Sequence, residues 1–272
     1  MFDRVIISSD DSRFIEFLPI VSQAWRKFFP EVKIPLAFLS EKRYDDPFIN
    51  KLEQFVDHIV IFKPIERIPT PNQSKMIRHI LAGYYQDKEV CMVEDIDTIP
   101  LQRNWFEEKT NSREKNTMLR VGSEVLGGIF ADKIPISTMT AESHIWRKVI
   151  NPGDMEYEDL MNSWRTPLGK TMDNKQDFGN EPDFFSDESL IQVLIKNSKT
   201  GETKVKRDVD IHSDWIDRSW WSINEEKLFR GEYICCNFLR PFLRHYSFFE
   251  PIIKYIYGKQ INKTDYENFI SR

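Results

Sequence analysis

The chain has 272 residues, and its 43 Asp and Glu against 38 Lys and Arg give a formal net charge of −5. Hydrophobic residues make up 40% and charged residues 30%, which is typical of a globular chain, and ten Gly with 14 Pro exclude a collagen-like or low-complexity one. The acidic balance does not favour tight binding to a nucleic-acid backbone. At this length an α/β chain commonly forms one domain, and we predict one over residues 1–272.

The first hundred residues alternate strand and helix patterns. Short β-branched runs predict strands, and apolar residues at helical spacing predict helices, in the order strand 4–8, helix 14–28, strand 34–39, helix 47–55, strand 58–62, helix 73–85 and strand 90–93. Such interleaving implies βαβ crossovers, and therefore a mostly parallel sheet flanked by helices on both faces.

After about residue 100 the pattern is less regular. We predict strands at 117–121, 125–131 and 203–211 and helices at 138–149 and 187–196, whereas residues 151–186 show no sustained period. The C-terminal part is rich in aromatic residues, for which core packing is the simplest interpretation. No internal repeat is present.

Termini and cysteines indicate the compartment. The N-terminus has no apolar stretch behind a basic one, and no run approaches the roughly 18 apolar residues of a spanning helix, so we expect neither a signal peptide nor a membrane span. The three cysteines, Cys91, Cys235 and Cys236, are odd in number and two are adjacent, which suits neither disulfides nor a metal site. We therefore expect a reducing, intracellular, cytoplasmic setting.

The predicted strand 90–93 is followed by three carboxylates, Glu94, Asp95 and Asp97. In open parallel sheets ligands bind beyond the carboxyl ends of the strands. Asp95 and Asp97 would repel each other unless a divalent cation or strong donors lay between them, and carboxylate oxygens suit Mg²⁺ or Mn²⁺, which can also bridge a diphosphate. The alternative is a solvated loop with an Asx turn, because an isolated Asp-x-Asp is short and frequent.

A helix with basic residues precedes this strand. Asn72 is a candidate N-cap, which would place Lys75 and Arg78 on one face of the first two turns, where cations oppose the helix dipole. A bound anion would offset that placement, since helix N-termini favour phosphate. The alternative is solvent-exposed charge, which costs little.

These segments resemble the GT-A glycosyltransferases, which bind nucleotide sugars at an Asp-x-Asp motif. The resemblance rests on the series Ser74-Lys75, Arg78 and Ala82, followed by residues 93–97. It implies a Rossmann-like α/β fold with about residues 1–100 binding the nucleotide sugar and about 101–272 forming the acceptor-side half and a helical tail. It also implies that Arg78, with Lys75, holds the donor, and that Asp97, aided by Asp95, holds Mn²⁺ or Mg²⁺.

By the same resemblance, further residues gain expected roles. Ser8 and Asp10 would hold the nucleoside, although helix capping is the alternative and is favoured for Asp11 and Ser12. The strand containing Gly127 and Gly128 would line the sugar, although a β-bulge explains these glycines equally well.

Acidic residues and histidines further along the chain complete the expected site. Asp187 or Glu188 would act as general base in an inverting enzyme, with helix N-terminal acidity beneath Ser186 as the alternative. A third metal ligand would be His212, or else His245, although a lone His is more often structural.

The predicted function is a metal-dependent glycosyltransferase that moves a sugar from a nucleotide diphosphate sugar, with UDP-sugars the first choice, to the hydroxyl of an acceptor, with glycans the first choice. One alternative is transfer to a modified DNA base, which predicts a positive groove containing Arg218, Arg240, Arg244 and tryptophans. Another is a non-catalytic nucleotide- or glycan-binding module on the same fold. Whether the anomeric configuration is retained or inverted stays open.

Overall fold

The computed structural model describes residues 1–11, 13–66, 68–114, 117–120, 138–168, 190–191, 193–194, 204–207, 214–218 and 221–270. Its strands, numbered in chain order, are β1 (Arg4–Asp10), β2 (Pro35–Leu39), β3 (His58–Phe62), β4 (Val90–Val93), β5 (Thr98–Pro100), β6 (Thr117–Arg120), β7 (Met139–Glu142), β8 (Lys204–Arg207), β9 (Trp215–Ile216) and β10 (Cys235–Asn237). The helices are α1 (Leu18–Phe28), α2 (Pro47–Leu52), α3 (Thr70–Ala82), α4 (Arg103–Asn111), α5 (Ser143–Ile150), α6 (Tyr157–Leu168), α7 (Glu225–Phe229), α8 (Tyr246–Tyr257) and α9 (Lys263–Ile270).

The main sheet has seven described strands in the order β3-β2-β1-β4-β7-β6-β8. Neighbouring strands from β3 to β4 pair in parallel, as do β6 and β8. Only β7, among the described strands of this sheet, runs antiparallel to its neighbours β4 and β6. The predicted mixed, mostly parallel α/β sheet is therefore confirmed.

Two hydrophobic cores cover the two faces of this sheet. Because side chains alternate along a strand, Val5 and Ile7 of β1 enter the core that contains α1 and α8, while Ile6 enters the core that contains α3, α5 and α6. The central strands are buried on both faces, as expected where crossover helices lie on each side.

A small second sheet connects the aromatic C-terminal part to the segment after β4. Its strand order is β5-β10-β9, with β10 antiparallel to β5 and parallel to β9. Beyond β10, Phe238, Phe242 and Phe249 are buried, and their ring centroids lie 4.9–5.3 Å apart. Packing is therefore the role of these three aromatic residues.

Helix α3 begins earlier than the sequence predicts. Its first residue is Thr70, and Asn72 donates its backbone N–H to the carbonyl of Pro69, so Asn72 lies inside the helix and is not the N-cap. Pro71 is tolerated there because the first helical turn needs no backbone donor. Lys75 consequently lies in the second turn, as expected, but Arg78 lies in the third, so the expectation that Arg78 opposes the helix dipole near its start is wrong.

Two further local predictions are wrong. Residues 139–142, predicted as the start of a helix, form β7, because their backbone groups pair with β4 on one side and β6 on the other. Asp11 does not cap a helix: its carboxylate accepts from Ser40 Oγ at 2.7 Å, and α1 begins after a 3₁₀ turn at Arg13–Phe17 without a side-chain cap. Ser12 lies outside the described residues.

All three cysteines are buried and free. Across the described ranges, no helix combines the length and the apolar character that crossing a membrane requires.

Candidate functional site

A cleft opens at the carboxyl ends of β1 and β4, beside α3. The space within it, part of which is open to solvent, amounts to about 470 Å³. Its lining residues come from four separate parts of the chain: Ser8, Ser9, Phe14, Pro71, Ser74, Lys75, Arg78, Asp95, Ile96, Asp97 and Arg240.

The strand register explains why these residues meet. Parallel pairing sets Ile6 of β1 opposite Val93 of β4, so both strands end at the same edge of the sheet. The loop before α3 is fixed by the buried Gln73 side chain, which bonds to the backbone N–H and carbonyl of Ile65 and to the carbonyl of Ile68. This arrangement brings the basic face of α3 to the acidic end of β4.

Arg78 connects α3 to that acidic segment. Its side chain is only 4% exposed, and its Nη1 donates to the Glu94 carbonyl at 3.0 Å and to the Asp95 carboxylate. Burial alone would raise the pKa of Asp95, but the charges of Arg78, Arg240 and Arg218 outweigh it and hold that pKa well below its usual range. Asp95 is therefore a carboxylate at neutral pH.

Glu94 braces the same segment from beneath. Its fully buried carboxyl accepts from the Asp95 backbone N–H at 2.9 Å and from Thr138 Oγ1 at 2.7 Å. Burial, reinforced by the charge of Asp95, raises the pKa of Glu94 to about 8. The sequence grouped Glu94 with an acidic strand end, whereas the structure gives it a supporting position below the cleft.

Asp97 is held by two arginines. Its side chain is 1% exposed, and its Oδ2 accepts from Arg218 Nη1 at 2.8 Å and from Arg240 Nε. Its backbone carbonyl accepts from Phe238 N–H at 2.9 Å. Its Oδ1 is buried and has no hydrogen-bond partner in the described part of the chain.

Arg240 is fixed to the cleft by long-range contacts. Strand β10 pairs Asn237 with Thr98, and the buried Glu16 carboxylate accepts from the backbone N–H groups of Phe242 and Leu243. Sequence reasoning assigned Arg240 only to a DNA groove, because 143 residues separate it from Asp97 and no local pattern connects them. The guanidinium also lies over the Phe14 ring, 5.1 Å from its centroid.

The remaining predicted residues have different outcomes. Asp10 ends β1 and is buried without lining the cleft, although its neighbours Ser8 and Ser9 do. His245 lies in a 3₁₀ turn before α8 and does not line the cleft. The residues that lie outside the described ranges are Gly127, Gly128, Asp187, Glu188 and His212.

A divalent cation fits the described carboxylates poorly. The buried, unpartnered Oδ1 of Asp97 is the kind of acceptor that a cation would satisfy, but Oδ2 of the same group is already bonded to two guanidinium groups. Among the described residues, no three His, Cys, Asp or Glu side chains come together as a metal site would require. Two oxygen ligands flanked by arginines do not by themselves make a Mn²⁺ or Mg²⁺ site.

The charges of the cleft favour an anion. Three cationic side chains line it, from Lys75, Arg78 and Arg240, against the two carboxylates of Asp95 and Asp97. Arg218 adds a further positive charge directly behind Asp97. A phosphorylated ligand would therefore meet a net positive wall in a partly desolvated setting, where such charges act most strongly.

No protein-family model and no curated protein matches the sequence. Among solved structures, the chain is similar to galactosyltransferase LgtC in complex with donor and acceptor sugar analogs, with TM-score 0.53 and 10% identity over 98% of this chain and 99% of that one. The glycosyltransferase GlyE of Streptococcus pneumoniae TIGR4 matches with a TM-score of 0.41 and 11% identity. That match covers 76% of this chain but only 45% of GlyE. Mouse xyloside xylosyltransferase 1 matches with a TM-score of 0.39 and 11% identity, over 88% of this chain and 98% of that one. At this identity the likeness to LgtC shows the fold alone: the chain has the GT-A fold.

Proposed function

We propose that the protein is a glycosyltransferase that moves a sugar from a nucleotide diphosphate sugar to a hydroxyl of a glycan acceptor. A UDP-sugar is the first choice of donor. The observation that carries this proposal is the cleft at the carboxyl ends of β1 and β4, where three basic side chains face two aspartates. Support also comes from the fold, which over 98% of this chain is similar to that of a galactosyltransferase solved in complex with donor and acceptor sugar analogs. In open α/β sheets ligands bind at this edge.

In the proposed reaction the acceptor oxygen becomes bonded to the anomeric carbon and loses its proton. The bond between the anomeric carbon and the diphosphate breaks, and the departing nucleoside diphosphate gains negative charge. Lys75, Arg78 and Arg240 line the cleft and would stabilise that charge. Arg78 and Arg240 are already held by Asp95 and Asp97, so they do so without reorganising. By the sequence resemblance, Ser8 and Asp10 would hold the nucleoside, and Gly127 and Gly128, which lie outside the described residues, would line the sugar.

The acceptor side of the mechanism rests on residues outside the described ranges. If the configuration inverts, Asp187 or Glu188 takes the proton of the acceptor hydroxyl. A cation held by Asp95, Asp97 and His212 would act as a Lewis acid on the diphosphate, and this stays a prediction of the sequence. The stabilisation of the diphosphate by Lys75, Arg78 and Arg240 does not depend on this cation.

Release of nucleoside diphosphate from a panel of nucleotide sugars, with mixed glycan acceptors and with either Mn²⁺ or EDTA, tests the proposal. We expect turnover of one donor class, and a roughly 10- to 100-fold lower kcat/KM in Lys75→Gln, because one positive charge that lines the cleft is lost. Lys259→Gln, an exposed lysine outside the cleft, is the matched control and should leave kcat/KM unchanged.

Two results would replace this proposal. Selective donor binding without turnover would instead support the non-catalytic binding module. Binding of duplex DNA at low salt would instead support the DNA-base alternative.

A further inference from the structure

The two arginines on Asp97 place positive charge where the sequence predicts a metal ion. Arg218 and Arg240 both donate to Oδ2 of this nearly inaccessible carboxylate, and Arg78 donates to Oδ1 of Asp95. Each aspartate is thus neutralised by the protein itself. A divalent cation on Asp97 would have to displace these guanidinium groups or lie beside two like charges in a partly desolvated site.

Arg240 combines three properties of a phosphate ligand. It lines the cleft, and its side chain is 25% exposed, so it is accessible from the open side. It uses Nε for Asp97, whereas its terminal nitrogens donate no hydrogen bond to any described residue. A planar guanidinium with both terminal nitrogens open can bind phosphate oxygens in a bidentate manner.

The contacts that hold Arg240 also make it rigid. The guanidinium lies between the Asp97 carboxylate and the Phe14 ring, and the backbone beyond it is tied to the buried Glu16 carboxylate. Because the donor group is already oriented, little conformational entropy is lost when an anion binds. Asp97 is then a positioning residue for Arg240 and not a metal ligand.

We propose that Arg240, oriented by Asp97 and acting with Arg78 and Lys75, binds the diphosphate of a nucleoside diphosphate without a divalent cation. This deepens the proposed function, since it names the group that the cleft recognises and the residue that recognises it. It departs from the metal-dependent reaction that the sequence predicts.

Calorimetric titration of the full chain with inorganic pyrophosphate and with UDP, in EDTA and then in Mn²⁺, tests the proposal. We expect Kd values in EDTA within about threefold of those in Mn²⁺, and a loss of roughly 10- to 100-fold in Arg240→Gln, as expected for a charge-assisted contact. Arg240→Lys, which keeps the charge and loses the planar fork, should give an intermediate loss. Arg230→Gln is the matched control, because Arg230 pairs with Glu232 outside the cleft.

Binding that requires Mn²⁺, or an Arg240→Gln variant that binds pyrophosphate as the native chain does, would overturn the proposal. If Arg240→Gln fails to fold, the comparison of EDTA with Mn²⁺ on the native chain still decides it. Failure of the proposed function is recognised separately. Pyrophosphate binding in EDTA without turnover of any nucleotide sugar removes that function and leaves this site, whereas transfer that strictly requires Mn²⁺ keeps that function and removes this inference.

Discussion

Replacing Glu16 with Ala removes the anchor that ties the Arg240 segment to the first half of the fold. The Glu16 carboxylate accepts from the backbone N–H groups of Phe242 and Leu243, of which Phe242 is fully buried. Each of the two donors left without a partner costs ~1–3 kcal/mol, so we expect Glu16→Ala to lower the free energy of unfolding by about 2–6 kcal/mol. Typical domains have a free energy of unfolding of about 5–15 kcal/mol, so most molecules of this variant should still be folded.

The functional consequence separates this anchor from general stability. Because Arg240 would lose its fixed position, the affinity of Glu16→Ala for pyrophosphate should fall together with stability. Tyr266→Phe is the control: the Tyr266 hydroxyl donates to the Glu16 carbonyl at 3.0 Å and accepts from Ile20 N–H at 3.3 Å, but touches neither donor of the Arg240 segment. It should lower stability by about 1–3 kcal/mol and leave pyrophosphate affinity unchanged.

Urea unfolding followed by tryptophan fluorescence gives the free energies of unfolding of Glu16→Ala and Tyr266→Phe. Calorimetric titration gives the affinity of each variant for pyrophosphate. Glu16→Gln, which keeps one acceptor oxygen, provides a folded intermediate case. A free energy of unfolding of Glu16→Ala within about 0.5 kcal/mol of that of the native chain, roughly the effect of an ordinary surface substitution, would refute this role of Glu16. Equal losses of pyrophosphate affinity in Glu16→Ala and Tyr266→Phe would also refute it, since the affinity would then follow stability alone.

Two predictions concern parts of the fold away from the cleft. Gly83→Ala would place Cβ 3.1 Å from the Arg147 backbone of α5, so urea unfolding should show a free energy of unfolding lower by ~1–3 kcal/mol. The control Gly153→Ala, whose Cβ would have its nearest contact at 3.7 Å, should change that free energy by less than about 0.5 kcal/mol. Similar stabilities of the two variants would contradict this close packing of α3 on α5. Burial raises the pKa values of the Cys91 and Cys236 thiols, and the thiolate is the reactive form, so at pH 8 a thiol reagent should modify the native chain far more slowly than the urea-unfolded chain. A fast-reacting thiol in the native chain would contradict their burial.

The parallel half of the fold could be predicted from sequence because its signals are local. Strands such as β1 and β3 are short β-branched runs, and helices such as α3 carry apolar residues at helical spacing, so each element is recognisable without its partners. The acidic end of β4 was recognisable for the same reason. Its meeting with α3 follows from the rule that parallel strands end at one edge.

What the sequence missed depends on partners distant in the chain. Strand β7 is four residues long and runs directly into a helix, so only its pairing between β4 and β6 makes it a strand. The segment that carries Arg240 is placed by Glu16, 226 residues away from Phe242, and by Asp97. Pairings at such separations leave no periodic pattern, so the arginine side of the cleft could not be assigned.

A crystal structure of the full chain with UDP, grown in EDTA, tests most directly whether this cleft binds a nucleoside diphosphate. The account predicts density for both phosphates between α3 and the Arg240 segment, with oxygens about 3 Å from the guanidinium groups of Arg78 and Arg240. UDP bound elsewhere on the molecule, with this cleft holding only water at saturating nucleotide, would contradict it.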